Sequence, residues 1–126
     1  MKAVLHRIIL FVRDVNKLKT FYVDNLNLDV IEEIESEWVV LKAGACELAL
    51  HKIGNEYAQN TQSSTVFHNN TKIVFDIDID IFVLHKQLTG KNIMLKEIKT
   101  WDNYDYYICD GEDTEGNVFQ FKMKKW

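Results

Sequence analysis

Four aromatic side chains fall within seven positions late in the chain, and they are the first candidates for ligand chemistry. The segment from Trp101 to Tyr107 has the sequence WDNYDYY. Aromatic faces that line a pocket bind planar or cationic organic molecules. The alternative is that the tyrosines alternate between core and solvent, as the side chains of any strand do. We expect Trp101 and Tyr104 to bind a ligand, with simple packing as the competing interpretation.

Other arrangements of reactive side chains are scarce in the sequence. It contains no glycine-rich phosphate loop, no nucleophile elbow and no pair of cysteines separated by two residues. Cys46 and Cys109 stand alone in apolar segments, which is typical of inert packing thiols and too few for a disulfide framework. The acidic residues from Asp110 to Glu115 are expected to form a solvated turn.

The charge balance excludes several classes of partner. The 126 residues carry 15 Lys and Arg against 19 Asp and Glu, a formal net charge of -4. Because no basic face is available for a phosphate backbone, we expect no nucleic-acid partner. No apolar run approaches the ~20 residues of a membrane span, and the first residues lack the features of a signal peptide. We therefore expect a cytoplasmic protein with no membrane partner.

The hydrophobic pattern indicates the same order of elements, strand-helix-strand-strand-strand, in both halves of the chain. In the first half the elements are assigned to residues 3–12, 15–26, 28–35, 38–42 and 46–53. In the second half they are assigned to residues 71–77, 81–90, 93–98, 104–109 and 117–123. Each helix can cover one face of its sheet, so two halves side by side would enclose a pocket between the free faces.

Residues at the helix ends and between the halves support this organisation. Asp14 is placed to cap the first helix, and Asn27 to adopt a left-handed conformation at its end. Asp78 or Asp80 is placed to cap the second helix, which Gly90 ends. The polar residues at about 54–70 are predicted to link two modules, at about 1–53 and about 71–126, within one domain, 1–126.

Two segments resemble the signatures of a known superfamily. The segment from Asp14 to Tyr22, followed by Asn25 to Leu28, resembles a D-x-x-x-S-x-x-F-Y…L-G-F pattern, and that from Asp113 to Phe121 resembles D-P-D-G-N-x-x-E-L. Both patterns belong to the vicinal oxygen chelate superfamily, which includes glyoxalase I, bleomycin-resistance proteins, fosfomycin-resistance enzymes and extradiol dioxygenases. The resemblance implies an α+β fold in which paired βαβββ modules form a concave, mostly antiparallel eight-stranded sheet. It also implies a homodimer.

The resemblance further implies where site residues should lie. Members that bind a divalent metal use up to four side chains, from the first and last strands of each module. In this chain those positions correspond to Arg7, Glu47, Lys72 and Gln120. Only Glu47 matches the metal-binding pattern, because the family carries His at the first and third positions and Glu at the fourth.

These four residues predict a site that works without a metal, so we expect no cofactor. Arg7 and Lys72 offer only hydrogen-bond donors when charged. Glu47 and the Gln120 carbonyl supply fewer ligands than zinc or calcium takes. Two cations against one carboxylate leave the pocket positive, which suits a carboxylate or phosphate group. The competing interpretation is an internal ion-pair cluster with no ligand.

A divalent metal is the alternative cofactor. A β-bulge in the first strand would shift its phase by one residue and turn His6 inward. His6, Glu47 and His51 would then supply three ligands, since Glu47 and His51 lie on one face of a strand. Without the bulge, His6 is a partly exposed or hydrogen-bonded residue at the start of the strand.

The function predicted from these observations is metal-independent binding of a small, anionic or aromatic molecule in the concave pocket. The residues expected to bind it are Arg7, Glu47, Lys72, Gln120, Trp101 and Tyr104. An alternative is a lyase, isomerase or dioxygenase, metal-dependent or metal-free, with Glu47 as general base and Arg7 or Lys72 stabilising an oxyanion. A third hypothesis is a structural or partner-binding module without a ligand.

Overall fold

The computed structural model describes residues 1–54 and 71–125. Their contacts form two compact units, each with one helix and four strands. The first unit contains, in chain order, β1 (Arg7–Val12), α1 (Val15–Leu26), β2 (Asp29–Ile34), β3 (Trp38–Ala43) and β4 (Cys46–Lys52). The second contains β5 (Lys72–Asp76), α2 (Ile81–Gly90), β6 (Met94–Leu95), β7 (Tyr106–Glu112) and β8 (Val118–Lys124). The predicted α+β fold of paired βαβββ modules is confirmed.

The strands hydrogen-bond in the same order in both units. The first sheet has the order β1-β4-β3-β2 and the second the order β5-β8-β7-β6. In each sheet the first strand of the unit pairs in parallel with the last, and the other two pairings are antiparallel. The parallel pairing places the start of the first strand beside the start of the last. The predicted site residues on the first and last strands of a unit can therefore lie close together within that unit.

In the first unit, α1 covers one face of the sheet. Leu18 and Tyr22 on the helix are fully buried, as is Leu50 on β4, and α1 packs on β3 and β4. The helix begins where predicted, because an Asp14 carboxylate oxygen accepts a hydrogen bond from the Lys17 N–H at 3.0 Å. It ends at Asn27, whose φ of 56° is the predicted left-handed conformation.

In the second unit, α2 packs on β6 and β8. Asp80, and not Asp78, is the N-cap, because its carboxylate accepts the backbone N–H groups of Phe82 and Val83. The helix ends at Gly90 as predicted, and the left-handed residue follows two positions later at Asn92, where φ is 63°.

Two strand assignments in the second unit differ from the sequence prediction. The segment 93–98 forms a ladder only over Met94–Leu95, followed by an isolated bridge between Lys99 and Ile108. The strand predicted at 104–109 begins at Tyr106 and continues to Glu112. Asp110 therefore lies within a strand. The prediction that the turn begins at Asp110 is wrong, because residues 110–112 belong to β7.

The sequence analysis predicted that the rest of this turn is solvated, and the structure contradicts this for its two acidic residues, Asp113 and Glu115. Asp113 and Glu115 are only 6% and 4% exposed. One Asp113 carboxylate oxygen accepts the backbone N–H groups of Glu115 and Asn117, at 2.9 and 3.0 Å. The carboxylate is buried because it ties the turn together, which is the role Asp often has in tight turns.

The predicted linker at about 54–70 falls almost wholly on residues 55–70, which lie outside the described part of the chain. The single-domain organisation stays a prediction. Within residues 1–54 and 71–125, no helix is both long enough and apolar enough to span a membrane.

Candidate functional site

In the first unit, the predicted site residues Arg7 and Glu47 form an ion pair. They are direct partners in the β1–β4 register, so the pair closes across two neighbouring strands. Arg7 Nε and Nη2 lie 2.9 and 2.8 Å from the same Glu47 oxygen, Oε1. The guanidinium carbon also lies 5.5 Å from the centre of the Trp38 ring, a distance suited to a cation–π contact. Arg7 is therefore held by a carboxylate and an indole at once.

This pairing determines the acid-base character of Glu47. The Arg7 hydrogen bond is the main influence that lowers the pKa of Glu47; partial burial acts in the opposite direction, and the charges of His6, Arg7 and Lys42 lower it further. The net result is a pKa below the ordinary value, so Glu47 is ionised at neutral pH. A general base works best when its pKa lies near the operating pH, and Glu47 is moved away from that range.

The predicted His6–Glu47–His51 metal site is not complete: His6 Nε2 lies 3.4 Å from Glu47 Oε1, but His51 does not join them. The β1–β4 register runs without a shift from Arg7 to Val12, so the bulge that the site required is absent from this strand pair. The His51 ring instead packs edge-to-face against Phe11 and Trp38, with centroid distances of 5.3 and 5.6 Å. In residues 1–54 and 71–125, no three His, Cys, Asp or Glu side chains come together in a way that could hold a metal.

In the second unit, the predicted residues Lys72 and Gln120 both bind Asp110. Lys72 Nζ lies 2.7 Å from Asp110 Oδ2, and Gln120 Nε2 donates to Asp110 Oδ1 at 2.8 Å. Asp110 and Gln120 are direct partners in the antiparallel β7–β8 register. Asp110 is the site residue that the sequence analysis missed, because it was assigned to a turn. Extending the strand past Cys109 to match the length of the strand that follows would have placed Asp110 on the same face as Ile108.

Asp110 is partly buried, but its hydrogen-bonding and charged neighbours together affect its pKa more than the burial does. Burial alone raises its pKa, whereas the hydrogen bonds from Lys72 and Gln120 and the charges of Lys72 and Lys96 lower it. The net pKa lies below the ordinary value of an aspartate. Asp110 is therefore a permanent anion at neutral pH that fixes the position of Lys72.

A groove of about 210 Å³ opens beside this network, and it lies entirely within the second unit. Its lining residues are Lys72, Lys96, Glu97, Lys99, Trp101, Ile108, Asp110 and Gln120. Three ammonium groups and two carboxylates give the lining a formal excess of one positive charge. Three of the predicted ligand-binding residues are thus brought together: Lys72, Gln120 and Trp101.

The other predicted residues lie elsewhere. Tyr104 is not in the groove lining but braces Trp101, with ring centroids 5.5 Å apart at 73°. Arg7 and Glu47 belong to the first unit and form the separate cluster described above. The structure thus places the six sequence-predicted residues in two clusters, one in each unit.

The residues at the four family positions do not fit a divalent metal. Arg7 and Lys72 have no lone pair to donate while they are charged, and each is engaged by a carboxylate. Gln120 turns its amide nitrogen toward Asp110, and one oxygen of Glu47 is taken by Arg7. This donor chemistry suits an anion better than a cation.

A comparison of the whole sequence with family models now identifies the class of protein. The model of the Glyoxalase/Bleomycin resistance protein/Dioxygenase superfamily matches residues 4–121, so the chain belongs to that superfamily. No curated protein sequence matches the chain.

Solved structures share the fold at low sequence identity. The fosfomycin resistance protein FosX from Listeria monocytogenes superposes with a TM-score of 0.77 at 13% identity, covering 99% of this chain and 96% of that one. Lactoylglutathione lyase from Agrobacterium tumefaciens gives 0.71 at 17% identity, covering 97% and 94%. An integron cassette protein from the mobile metagenome of V. cholerae gives 0.72 at 19%, covering 98% and 96%. At these identities the likeness shows the fold alone.

Proposed function

We propose that this protein binds a small anionic or aromatic molecule without the help of a metal ion. The observation that carries the proposal is the groove of the second unit, where lysines and an exposed tryptophan line a space of about 210 Å³. A positively charged lining next to an aromatic ring provides both charge attraction and apolar contact for such a ligand.

The ion pairs of the two clusters, Arg7 with Glu47 and Lys72 with Asp110, support binding in preference to catalysis. Arg7 and Lys72 occupy positions where metal-binding members of the superfamily carry His, and both are paired with carboxylates. Glu47 is the carboxylate that would serve as general base in a metal-free enzyme, and Arg7 lowers its pKa. A base whose pKa is lowered removes a proton less effectively at neutral pH.

Metal analysis tests the metal-free part of the proposal. Protein purified without added ions is analysed for bound metal and then titrated with nickel, zinc and manganese, beside Glu47→Ala as the matched variant. We expect less than one equivalent of metal in both proteins and no difference between them. Stoichiometric binding that disappears in Glu47→Ala would contradict the proposal.

A thermal-shift screen tests the binding part. Small carboxylates, phosphates and aromatic antibiotics are added to the protein and to Arg7→Ala, and the midpoint of unfolding is measured. Because Arg7 is not in the groove lining, the shift produced by a ligand should be similar in the two proteins. A ligand at about 100 times its Kd stabilises a protein by about 2.7 kcal/mol, which for a chain of this size is a shift of several degrees. We expect a concentration-dependent rise with at least one class. A flat response across all classes would favour a module without a ligand.

The same proposal includes a homodimer located in the cytoplasm, which the superfamily resemblance and the sequence composition support. Light scattering after size-exclusion chromatography measures the first point directly. We expect a mass near twice the 14.8 kDa of one chain, and a monomeric mass over the concentration range tested would contradict it.

A further inference from the structure

We infer that the groove selects a single-ring aromatic molecule with one anionic group, with the ring on Trp101 and the anion at Lys96 and Lys99. The inference rests on the proposed function and deepens it, because it assigns the ligand class and separates the roles of the lysines. In this assignment Lys72 is paired with Asp110 and does not carry the ligand's charge.

The three lysines of the groove differ in whether they form an ion pair with a carboxylate. Lys72 Nζ is 2.7 Å from Asp110, whose other oxygen accepts from Gln120. Lys96 and Lys99 line the same groove, and neither is in an ion pair with any residue in the described part of the chain. An ammonium group with no carboxylate partner is the one available to an incoming anion.

The charge count sets the number of anionic groups. Once the Lys72–Asp110 pair is set aside as neutral, Lys96, Lys99 and Glu97 remain, with a formal charge of one positive unit. One anionic group on the ligand neutralises that charge, whereas a second would leave an unpaired negative charge in the groove. The lining therefore favours a monoanion.

The rim that carries these groups is fixed to the sheet by backbone hydrogen bonds. The Lys96 N–H donates to Asp110 O at 2.8 Å, and Lys99 and Ile108 exchange N–H···O bonds of 2.8 and 2.9 Å. The carbonyl oxygen of Trp101 accepts hydrogen bonds from the Tyr104 N–H and from Lys125 Nζ, both at 3.0 Å. Because hydrogen bonds already fix the backbone at Lys96, Lys99 and Trp101, this segment loses little conformational entropy when a ligand binds.

Trp101 supplies the aromatic surface. It is 57% exposed although it lines the groove, and Tyr104 contacts it edge-to-face. Tyr104 is in turn 5.5 Å from the Tyr106 ring, so the indole is braced by a row of aromatic side chains. An exposed but braced indole offers a flat surface for stacking a planar ring.

The size of the groove limits the ligand to one ring. Pockets for drug-sized molecules have volumes of roughly 300–1,000 Å³. The groove of about 210 Å³ is smaller, so fused rings and long chains would extend into solvent and gain little contact. A benzene ring with one acidic substituent is the simplest molecule of this class.

Three probes of similar size and one variant series test the inference. Benzoate, cyclohexanecarboxylate and benzamide are titrated by calorimetry or ligand-observed NMR, so that aromaticity and charge are varied separately. We expect benzoate to bind tightest, with cyclohexanecarboxylate weaker by about 3- to 10-fold because it cannot stack. Benzamide should be weaker by at least about 10-fold because it carries no charge.

The variants assign these effects to residues. Trp101→Leu should remove the preference for benzoate over cyclohexanecarboxylate, and Trp101→Phe should restore most of it. Lys96→Gln with Lys99→Gln should weaken benzoate by at least about 10-fold. Lys86→Gln on α2, the control for loss of a lysine outside the groove, should leave binding unchanged, since Lys86 is exposed and absent from the groove lining. All these side chains are exposed, so circular dichroism should show an unchanged fold.

The outcomes separate this inference from the proposed function. Equal binding of benzoate and cyclohexanecarboxylate would overturn the aromatic part. An equal loss in Lys86→Gln and the Lys96, Lys99 double variant would overturn the assignment of the anion to these two lysines. Binding of other members of the thermal-shift screen, but not of benzoate, would overturn this inference alone. If no member of that screen binds, the proposed function itself fails.

Discussion

Asp110 and Gln120 face each other across the β7–β8 ladder, and one Asp110 carboxylate oxygen accepts the Gln120 amide at 2.8 Å. The other oxygen holds Lys72 at the start of β5. In the first unit the corresponding carboxylate is Glu47, on the strand next to that of its partner Arg7. Both units therefore join a cation on their first strand to a carboxylate, but the second unit takes that carboxylate from one strand further away.

Replacing Asp110 by Asn should destabilise the protein in a pH-dependent way. The folded pKa of Asp110 is below its unfolded value, which is about 3.9. The stability that the ionised group provides is therefore complete above that unfolded value and is lost as the pH falls through the folded one. Asp110→Asn should be less stable than the parent protein by about 1 kcal/mol at pH 7, since the carboxylate is partly solvated.

Urea unfolding between pH 2.5 and pH 7 measures this difference. It should be constant above about pH 5 and should shrink toward zero below the ordinary aspartate pKa. Asp102→Asn is the matched control, because Asp102 is exposed and lies in the loop before β7. A pH profile for Asp110→Asn that is parallel to that of Asp102→Asn would contradict the role assigned to the Asp110 network.

The two aspartates before α2 provide a second test, because the sequence did not distinguish them. The Asp80 carboxylate accepts the Phe82 N–H at 2.7 Å and the Val83 N–H at 3.3 Å. Asp80→Ala should lower the free energy of unfolding by about 1 kcal/mol, the usual cost of losing an N-cap. Asp78→Ala should change it by less than about 0.5 kcal/mol, as exposed substitutions usually do. Equal losses in the two variants would show that the cap is shared.

The helix caps were predictable because their signals are local. An Asp followed by an apolar residue every third or fourth position specifies both the start and the buried face of a helix, as Asp14 and Leu18 do. Both aspartates before α2 satisfy the same local rule. The choice between them depends on where β5 ends, which is set by its pairing with β8.

The ion pairs were harder to predict because their partners are far apart in sequence. Arg7 and Glu47 were found through the superfamily resemblance, and their contact follows from the parallel pairing of β1 and β4. Asp110 was missed because Gly111 and the acidic residues around it are typical of a turn. The strand continues through Gly111, which pairs with Phe119 in the β7–β8 ladder, and the close approach of Phe119 and Leu95 leaves no room there for a larger side chain. That constraint comes from tertiary packing and leaves no local pattern in the sequence.

The thiol of Cys109 should be much less reactive than an ordinary cysteine. Burial, with a smaller contribution from the charge of Asp110, raises the pKa of Cys109 to about 11. At pH 8 its thiolate is then rarer than that of an unperturbed thiol by a factor of at least about 100. Cys109 should therefore be alkylated by iodoacetamide at least about 100-fold more slowly than a model thiol peptide.

Peptide mass spectrometry after timed alkylation gives this rate, and Cys46 serves as the internal reference because it is only half-buried. In denaturant both thiols should react at similar rates, which shows that the fold and not the local sequence protects Cys109. Fast labelling of Cys109 in the native protein would mean that β7 opens readily and that the groove wall is not rigid.

Gly111 should be the least replaceable glycine near the groove, and Gly90 provides its matched control. A Cβ added at Gly111 would lie 2.5 Å from Leu95 Cδ2 and 2.7 Å from Phe119 Cζ, both parts of packed side chains. Gly111→Ala should therefore lower the free energy of unfolding by about 1–3 kcal/mol, the usual cost of overpacking. At Gly90 nothing lies within 4 Å, and φ is not positive.

Gly90→Ala should consequently stabilise the protein by about 0.4–1 kcal/mol, because alanine reduces the freedom of the unfolded chain at a position where the helix accepts it. Thermal and urea unfolding of the two variants measure both effects. The sign should be opposite for the two glycines, although the substitution is the same. Because Gly111 follows Asp110 directly, Gly111→Ala should also weaken benzoate binding, whereas Gly90→Ala should not. A stable Gly111→Ala protein with unchanged binding would show that β7 can shift without moving the Asp110 network.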